Sequence, residues 1–159
     1  MQQDTDEFYM GEALKEARKA FAADEVPVGS VIVYKGRVIA RAHNQVEMLK
    51  DATAHAEIIA ITQASAALGD WRLNEAVIYV TKEPCPMCAG AIINSRLERL
   101  VYGVADPQMG AAGSVLDLVR DTRLRRQIQV TAGVKEEDCR WILQEFFQQK
   151  RIKSNITSN

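Results

Sequence analysis

Residues 76–103 read AVIYVTKEPCPMCAGAIINSRLERLVYG. Positions 76–81 are apolar to either side, the composition of a strand covered on both faces in the middle of a sheet. Positions 86–95 follow at once as a helix, with Pro86 suited to the first helical position because its missing N–H leaves no bond unmade there. Positions 100–103 are β-rich again. Strand, helix and strand with short connections form the parallel βαβ unit, whose ligands gather beyond the carboxyl ends of the strands. Pro84-Cys-Pro-Met-Cys88 stands at that place, between the first strand and the helix.

Toward the N-terminus, Met10, Ala13, Leu14, Ala17 and Phe21 share one face of a helical repeat over residues 7–22, and Glu12, Lys15, Glu16, Arg18 and Lys19 occupy the rest. An amphipathic helix covering a core is predicted there. Residues 28–34 and 37–44 are β-rich runs joined by Lys35-Gly36, a hairpin in which the glycine supplies the turn. Residues 45–53 are a polar connection, and 54–68, rich in alanine and isoleucine, a mostly buried helix closed by Gly69. After the βαβ unit, Gly110-Ala-Ala-Gly-Ser114 is a loop, followed by a short helix and a strand at 127–131. The last helix opens with Glu136, Glu137 and Asp138, acids suited to the positive end of its dipole, and aligns Cys139, Ile142, Leu143 and Phe146 on one face. The sum is an α/β sandwich.

A length of 159 residues with 47% hydrophobic content fits one globular domain, expected over residues 7–152, with 153–159 a disordered basic and polar tail. Apolar runs fall far short of the roughly 20 residues of a membrane span, and the acidic start, residues 1–7, speaks against export. Three cysteines, two of them in one Cys-x-x-Cys, do not read as a disulfide framework; metal or redox use in a reducing, cytoplasmic compartment fits better. A formal net charge of −1 excludes nucleic-acid binding through a global positive field. Positive charge is nonetheless uneven: Arg120, Arg123, Arg125 and Arg126 crowd one segment and Lys150, Arg151 and Lys153 another, either a solvated surface or a local anion-binding one.

The chemistry resides in Thr53-Ala-His-Ala-Glu57 and Pro84-Cys-Pro-Met-Cys88, each where a loop runs into a helix. Taken singly, His55 reads as a hydrogen-bonded structural residue, Cys-x-x-Cys is shared by zinc sites and thioredoxin-like redox centres, and Glu57 is a favourable acid at a helix N-terminus. Taken together they favour a metal. Backbone N–H groups at a helix start lower thiol pKa and favour the thiolates that zinc requires. Two thiolates and one imidazole make three ligands, leaving a fourth tetrahedral position for water, as catalytic zinc sites do. Residues two apart do not share a face within a helix, so His55 and Glu57 must both sit at its first turn, one reaching the metal and the other the water. Cys139 reads as core.

Further segments complete a pattern: Glu25-Val-Pro-Val-Gly29, Ala42-His43-Asn44, Trp71-Arg-Leu73, Glu83-Pro-Cys-Pro-Met-Cys-Ala-Gly90, Gly110-Ala-Ala-Gly-Ser114 and Glu145-Phe-Phe147. With them the chain resembles the zinc nucleoside and nucleobase deaminases of the cytidine/deoxycytidylate deaminase-like superfamily across residues 8–151, and within these the bacterial tRNA-specific adenosine deaminases. The resemblance implies a three-layer α/β/α sandwich around a mixed five-stranded sheet, one zinc per chain on His55, Cys85 and Cys88, and no organic cofactor. It implies deamination of adenosine to inosine at the wobble position of a tRNA anticodon loop, with a metal-activated water as nucleophile and Glu57 as proton shuttle. Asn44 would hydrogen-bond the flipped base, Val28 and Pro84 would line its pocket, and Phe147 would border the RNA entrance. A homodimer sharing the RNA site is implied as well.

The chain departs from the family pattern at Gln108, where lysine is usual, at Arg125-Arg126, where an Asn-His pair is usual, and at Lys82, where an apolar residue is usual. None is a metal ligand or Glu57. Asp106, Arg125, Arg126, Lys150 and Arg151 are expected at the RNA, the arginines through the planar donor fork that suits phosphate. Two other readings stand beside this one: a deaminase of a free nucleobase or nucleoside such as guanine, cytosine or cytidine, and a non-catalytic zinc-containing RNA-binding module in which Glu57 is only a helix-end acid.

Overall fold

In the computed structural model, which describes residues 2–157, ten elements follow one another along the chain: α1 (Gln2–Ala22), β1 (Gly29–Tyr34), β2 (Arg37–His43), α2 (Val46–Leu49), α3 (Ala56–Leu68), β3 (Val77–Lys82), α4 (Pro86–Asn94), β4 (Arg99–Val104), β5 (Gln129–Ala132) and α5 (Glu136–Thr157). The five strands form one sheet in the order β2-β1-β3-β4-β5. β1 is antiparallel to β2 and β3, while β3, β4 and β5 run parallel, so the sheet is mixed as expected. The hairpin closes between the paired residues Tyr34 and Arg37, and both turn residues, Lys35 and Gly36, take positive φ, the backbone that matches strand twist.

Strand alternation divides the core into two layers. Val31, Val33, Tyr79 and Val101 face α1 and α5, packing on Met10, Ala13, Ala17, Cys139 and Ile142. Ile32, Ile78, Val80 and Leu100 face the opposite way, onto Ala60 and Ala64 of α3 and Ala89 and Ile92 of α4. Side chains of consecutive strand residues point to opposite faces, so covering both with helices makes the central strands apolar throughout. The α/β/α sandwich expected from the βαβ unit is the observed architecture.

Several local features depart from the reading of the chain. The connection at 45–53 contains the four-residue α2, because the buried Glu25 carboxylate accepts hydrogen bonds from the backbone N–H groups of Glu47 and Met48, both at 2.8 Å. The helix expected after Ser114 does not form. Its N–H groups have other partners: those of Val115 and Leu116 donate to Gly110 O, both at 3.0 Å, that of Leu118 donates to Ala111 O at 2.9 Å, and a bridge pairs Ala112 with Asp117. Strand β5 starts at Gln129 rather than 127, since the Ile128 N–H donates to Val119 O at 2.7 Å. Helix α5 continues to Thr157 through most of the expected tail, with no proline or glycine after Glu136 to end it, and residues 158–159 lie outside the described residues.

One buried ion pair ties the N-terminal helix to the sheet. Asp6 accepts two hydrogen bonds from the Arg99 guanidinium, at 2.8 and 2.9 Å, and one from the Tyr79 hydroxyl at 2.7 Å. Burial alone would raise the Asp6 pKa, but the bonds from Arg99 and Tyr79 outweigh it and hold the carboxyl below its ordinary value. A depressed folded-state pKa stabilises above the ordinary aspartate value and is lost as pH falls through the folded one. Asp6→Ala is therefore expected to cost about 3 kcal/mol at neutral pH, the lower end for a buried pair stripped of one partner. Urea denaturation of both proteins from neutral pH into acid checks this, with the gap between them closing as Asp6 protonates.

Candidate active site

The carboxyl end of β3 leads through Glu83 and Pro84 into α4, whose N-cap is Cys85 and whose first turn holds Cys88. Beside it α3 begins with His55 as N-cap and Glu57 in its first turn. Neither capping residue uses its side chain to cap the helix, so the imidazole and the thiol are free to point into the space between the two helix starts. There His55 Nδ1 lies 3.6 Å from Cys85 Sγ and 3.5 Å from Cys88 Sγ, and the three candidate ligand atoms fall within 4.8 Å of one another. Ligands at zinc–sulfur and zinc–nitrogen distances of about 2.3 and 2.0–2.1 Å, set at a tetrahedral angle, stand about 3.5 Å apart. The donor set and its spacing therefore fit a tetrahedral metal with three protein ligands.

Electrostatics point the same way. The Cys88 thiol, with the His55 ring and the backbone N–H of Cys88, holds the Cys85 thiol down at about 4 against the effect of burial. Cys88 is pushed up by the neighbouring Cys85 and by burial, so without a cation only one of the two ionises readily. The hydrogen bond to Cys85 raises the His55 pKa. A divalent cation replaces these hydrogen bonds by coordination and favours both thiolates and the neutral imidazole. Glu57 is only 4% exposed, and burial raises its pKa above the ordinary carboxylate value.

A cleft of about 1120 Å³ opens from this point. His55, Ala56, Glu57 and Cys85 line it together with Val28, Asn44, Met48, Met109 and Phe147. The Asn44 amide donates to Val26 O at 3.2 Å and its carbonyl accepts the Val46 N–H at 3.4 Å, fixing the side chain at the wall between β2 and α2. Lys82, Asp106 and Lys150 also line the cleft. Lys82 Nζ pairs with Asp106 Oδ2 at 3.1 Å, while Asp106 Oδ1 accepts the N–H groups of Gln108 and Met109. Lys150 pairs with Asp24 at 2.8 Å.

The structure thus brings His55, Glu57, Cys85, Asn44, Val28, Phe147, Asp106 and Lys150 to one cavity, with Cys88 buried behind them against His55 Nδ1. Pro84 is buried and does not line it, and its carbonyl accepts the Ala111 N–H at 2.9 Å. Arg151 does not line it either. Arg125 and Arg126 lie at the other end of the sheet: they just precede Gln129, which pairs with Arg99 at the start of β4, whereas the site follows Lys82 and Val104 at the strands' carboxyl ends. The six residues of β4, about 20 Å, lie between. Reading the chain alone missed Met48 and Met109 as cleft residues and Glu25 and Glu83 as buried carboxylates. The signal for Glu83 was an acid directly after a mostly apolar strand and before the cysteine segment.

Comparison with known proteins agrees with this geometry. The family model for MafB19-like deaminases matches residues 4–151. A tRNA-specific adenosine deaminase of Bacillus subtilis is 49% identical over 148 residues, 93% of this chain and 92% of that protein. A solved structure from work on A-to-I editing by tRNA:A34 deaminases at the wobble position of transfer RNA superposes with a TM-score of 0.83 at 46% identity, covering 86% of this chain and 99% of that one. A guanine deaminase from Nitrosomonas europaea superposes at 0.77 with 27% identity, over 88% and 83% of the two chains. The 49% identity across nearly the whole length, with two helix starts of this chain converging on one histidine and two cysteines, places this chain in the tRNA-specific adenosine deaminase family.

Proposed function

We infer that this chain hydrolyses adenosine to inosine at the wobble position of tRNA, with one zinc held by His55, Cys85 and Cys88 and with Glu57 as the proton carrier. Zinc in that position would supply a water of pKa about 7 as the nucleophile. Glu57 accepts the proton this water gives up as oxygen adds to the adenine carbon bearing the amine, and passes it to the adjacent ring nitrogen. The second proton of the water, taken by Glu57 from the added oxygen and passed to the exocyclic amine, lets the carbon–nitrogen bond break as the carbonyl forms, so that adenosine and water give inosine and ammonia. Asn44, with a donor and an acceptor at the cleft wall, suits the edge of the base, and Val28 its face.

The observation that carries the choice of a polynucleotide is the size and lining of the cleft. At about 1120 Å³ it exceeds the usual range of small-molecule pockets, and Phe147 and Lys150 line it together with Glu57. A free base would occupy only part of it. An aromatic ring and flanking cations along an open channel suit neighbouring bases and phosphates. Lys150 is the basic residue of α5 placed for this contact; Arg125 and Arg126, at the far end of the sheet, would meet only RNA that extends beyond the cleft.

The functional unit we propose is a homodimer. Met87, Val115 and Leu116 are exposed on two segments that the Ala111 N–H bond to Pro84 O ties together, and a second copy would cover them. No helix among the described residues is long and apolar enough to cross a membrane, and thiols kept free for a metal suit a reducing cytoplasm. The similarity to a guanine deaminase favours one rival, turnover of a free base. Ammonia release measured separately with total tRNA, adenosine, guanine and cytosine tests the two: release with tRNA alone is expected, and faster release with guanine would favour the rival.

A further inference from the structure

We propose that Glu83 is a positioning residue whose carboxylate builds the Asp106–Met109 wall of the cleft and thereby sets affinity for RNA rather than the rate of the chemical step. Glu83 is 3% exposed and directly follows β3, and its carboxylate bonds none of His55, Cys85 and Cys88. Both oxygens are fully engaged by one loop. Oε1 accepts the Asp106 N–H at 3.0 Å and the Ser114 hydroxyl, and Oε2 accepts the N–H groups of Ala112 at 2.9 Å and Ser114 at 3.1 Å. Four donors converging on one buried carboxylate give a charge-assisted network.

The loop is shaped to admit that side chain. A Cβ on Gly110 would stand 2.5 Å from Glu83 Cδ, from its Oε2 and from Asp106 O, so only glycine allows the carboxylate to pass. Consecutive residues then grip Asp106 from two sides, Lys82 at its carboxylate and Glu83 at its N–H. Asp106 in turn holds the N–H groups of Gln108 and Met109, which sets Met109 in the cleft wall. The cysteine segment does not depend on the carboxylate, because backbone bonds from Glu83 N to Val104 O and from Ala111 N to Pro84 O, both 2.9 Å, hold it. Loss of the carboxylate should therefore loosen the wall and leave the metal centre intact.

The reading of tRNA as substrate underlies the kinetic part of this proposal, and a second readout is independent of it. Glu83→Gln keeps one acceptor oxygen and turns an amine toward two of the four donors. It is expected to raise the tRNA KM about ten-fold or more, the scale of lost hydrogen bonds to a charged group, with kcat and zinc content little changed. Gly110→Ala should give the same pattern, and the double variant should be no worse than either alone. Amide hydrogen exchange of Asp106, Ala112 and Ser114 should accelerate in both variants, whether or not tRNA is turned over. A kcat loss at unchanged KM, additive effects of the two substitutions, or unaltered exchange at those amides would overturn the assignment. If Glu83→Gln does not fold, Ser114→Ala removes a single donor and should still raise KM and speed exchange at its neighbours. Wild-type protein that leaves tRNA untouched would count against the substrate, and the exchange data would then judge Glu83 alone.

Discussion

Glu57→Gln is expected to leave the fold and one zinc per chain in place and to lower turnover by a factor of about 10²–10⁴, the scale of a general acid–base group. The side chain is buried at the first turn of α3, next to the Cys88 thiol, and burial raises its pKa. Glutamine preserves its volume and can still accept a hydrogen bond, but cannot take a proton and give it back. Because one carboxyl serves both the attacking water and the departing amine, the loss should fall on kcat with KM little changed. Single-turnover kinetics on tRNA, with metal analysis of the same sample, are the measurement. Retention of more than a tenth of the wild-type rate would assign the shuttle to another group.

Combined Cys85→Ala and Cys88→Ala should remove the metal and all measurable activity. His55 alone offers one ligand, and a single imidazole does not hold zinc against dilution. The sheet and its two helical layers should survive, since the buried residues of both cores lie mainly on elements that do not touch the metal centre. Elemental analysis should find zinc near one equivalent in the wild type and close to none in the variant, with circular dichroism preserved. Full zinc retention would remove the cysteines from the ligand set.

Much of this arrangement was legible in the chain. The βαβ unit of residues 76–103 located both the sheet and the ligand end of it, because apolar strands and a Pro86-started helix are local signals. His55, Glu57, Cys85 and Cys88 were legible as a set because metal chemistry restricts residue type and spacing. Asn44, Val28 and Phe147 came from resemblance, and all three line the cleft. What local pattern could not supply were contacts made across the chain. Glu25 builds α2 twenty-two residues away, and the carbonyls of Gly110 and Ala111 take N–H groups of the segment after Ser114, where a helix was expected. Arg125 and Arg126 misled for the same reason: nearness in sequence to a site loop says nothing of which end of a parallel strand the chain has returned to.

Purified protein incubated with unmodified tRNA, followed by nuclease digestion and position-resolved nucleoside analysis, bears most directly on the assignment. Inosine should appear at the first anticodon position and nowhere else, in step with ammonia release, and the Glu57→Gln protein should form little of it. Adenosine left intact at that position by wild-type, zinc-loaded protein, with a free base deaminated instead, would contradict it.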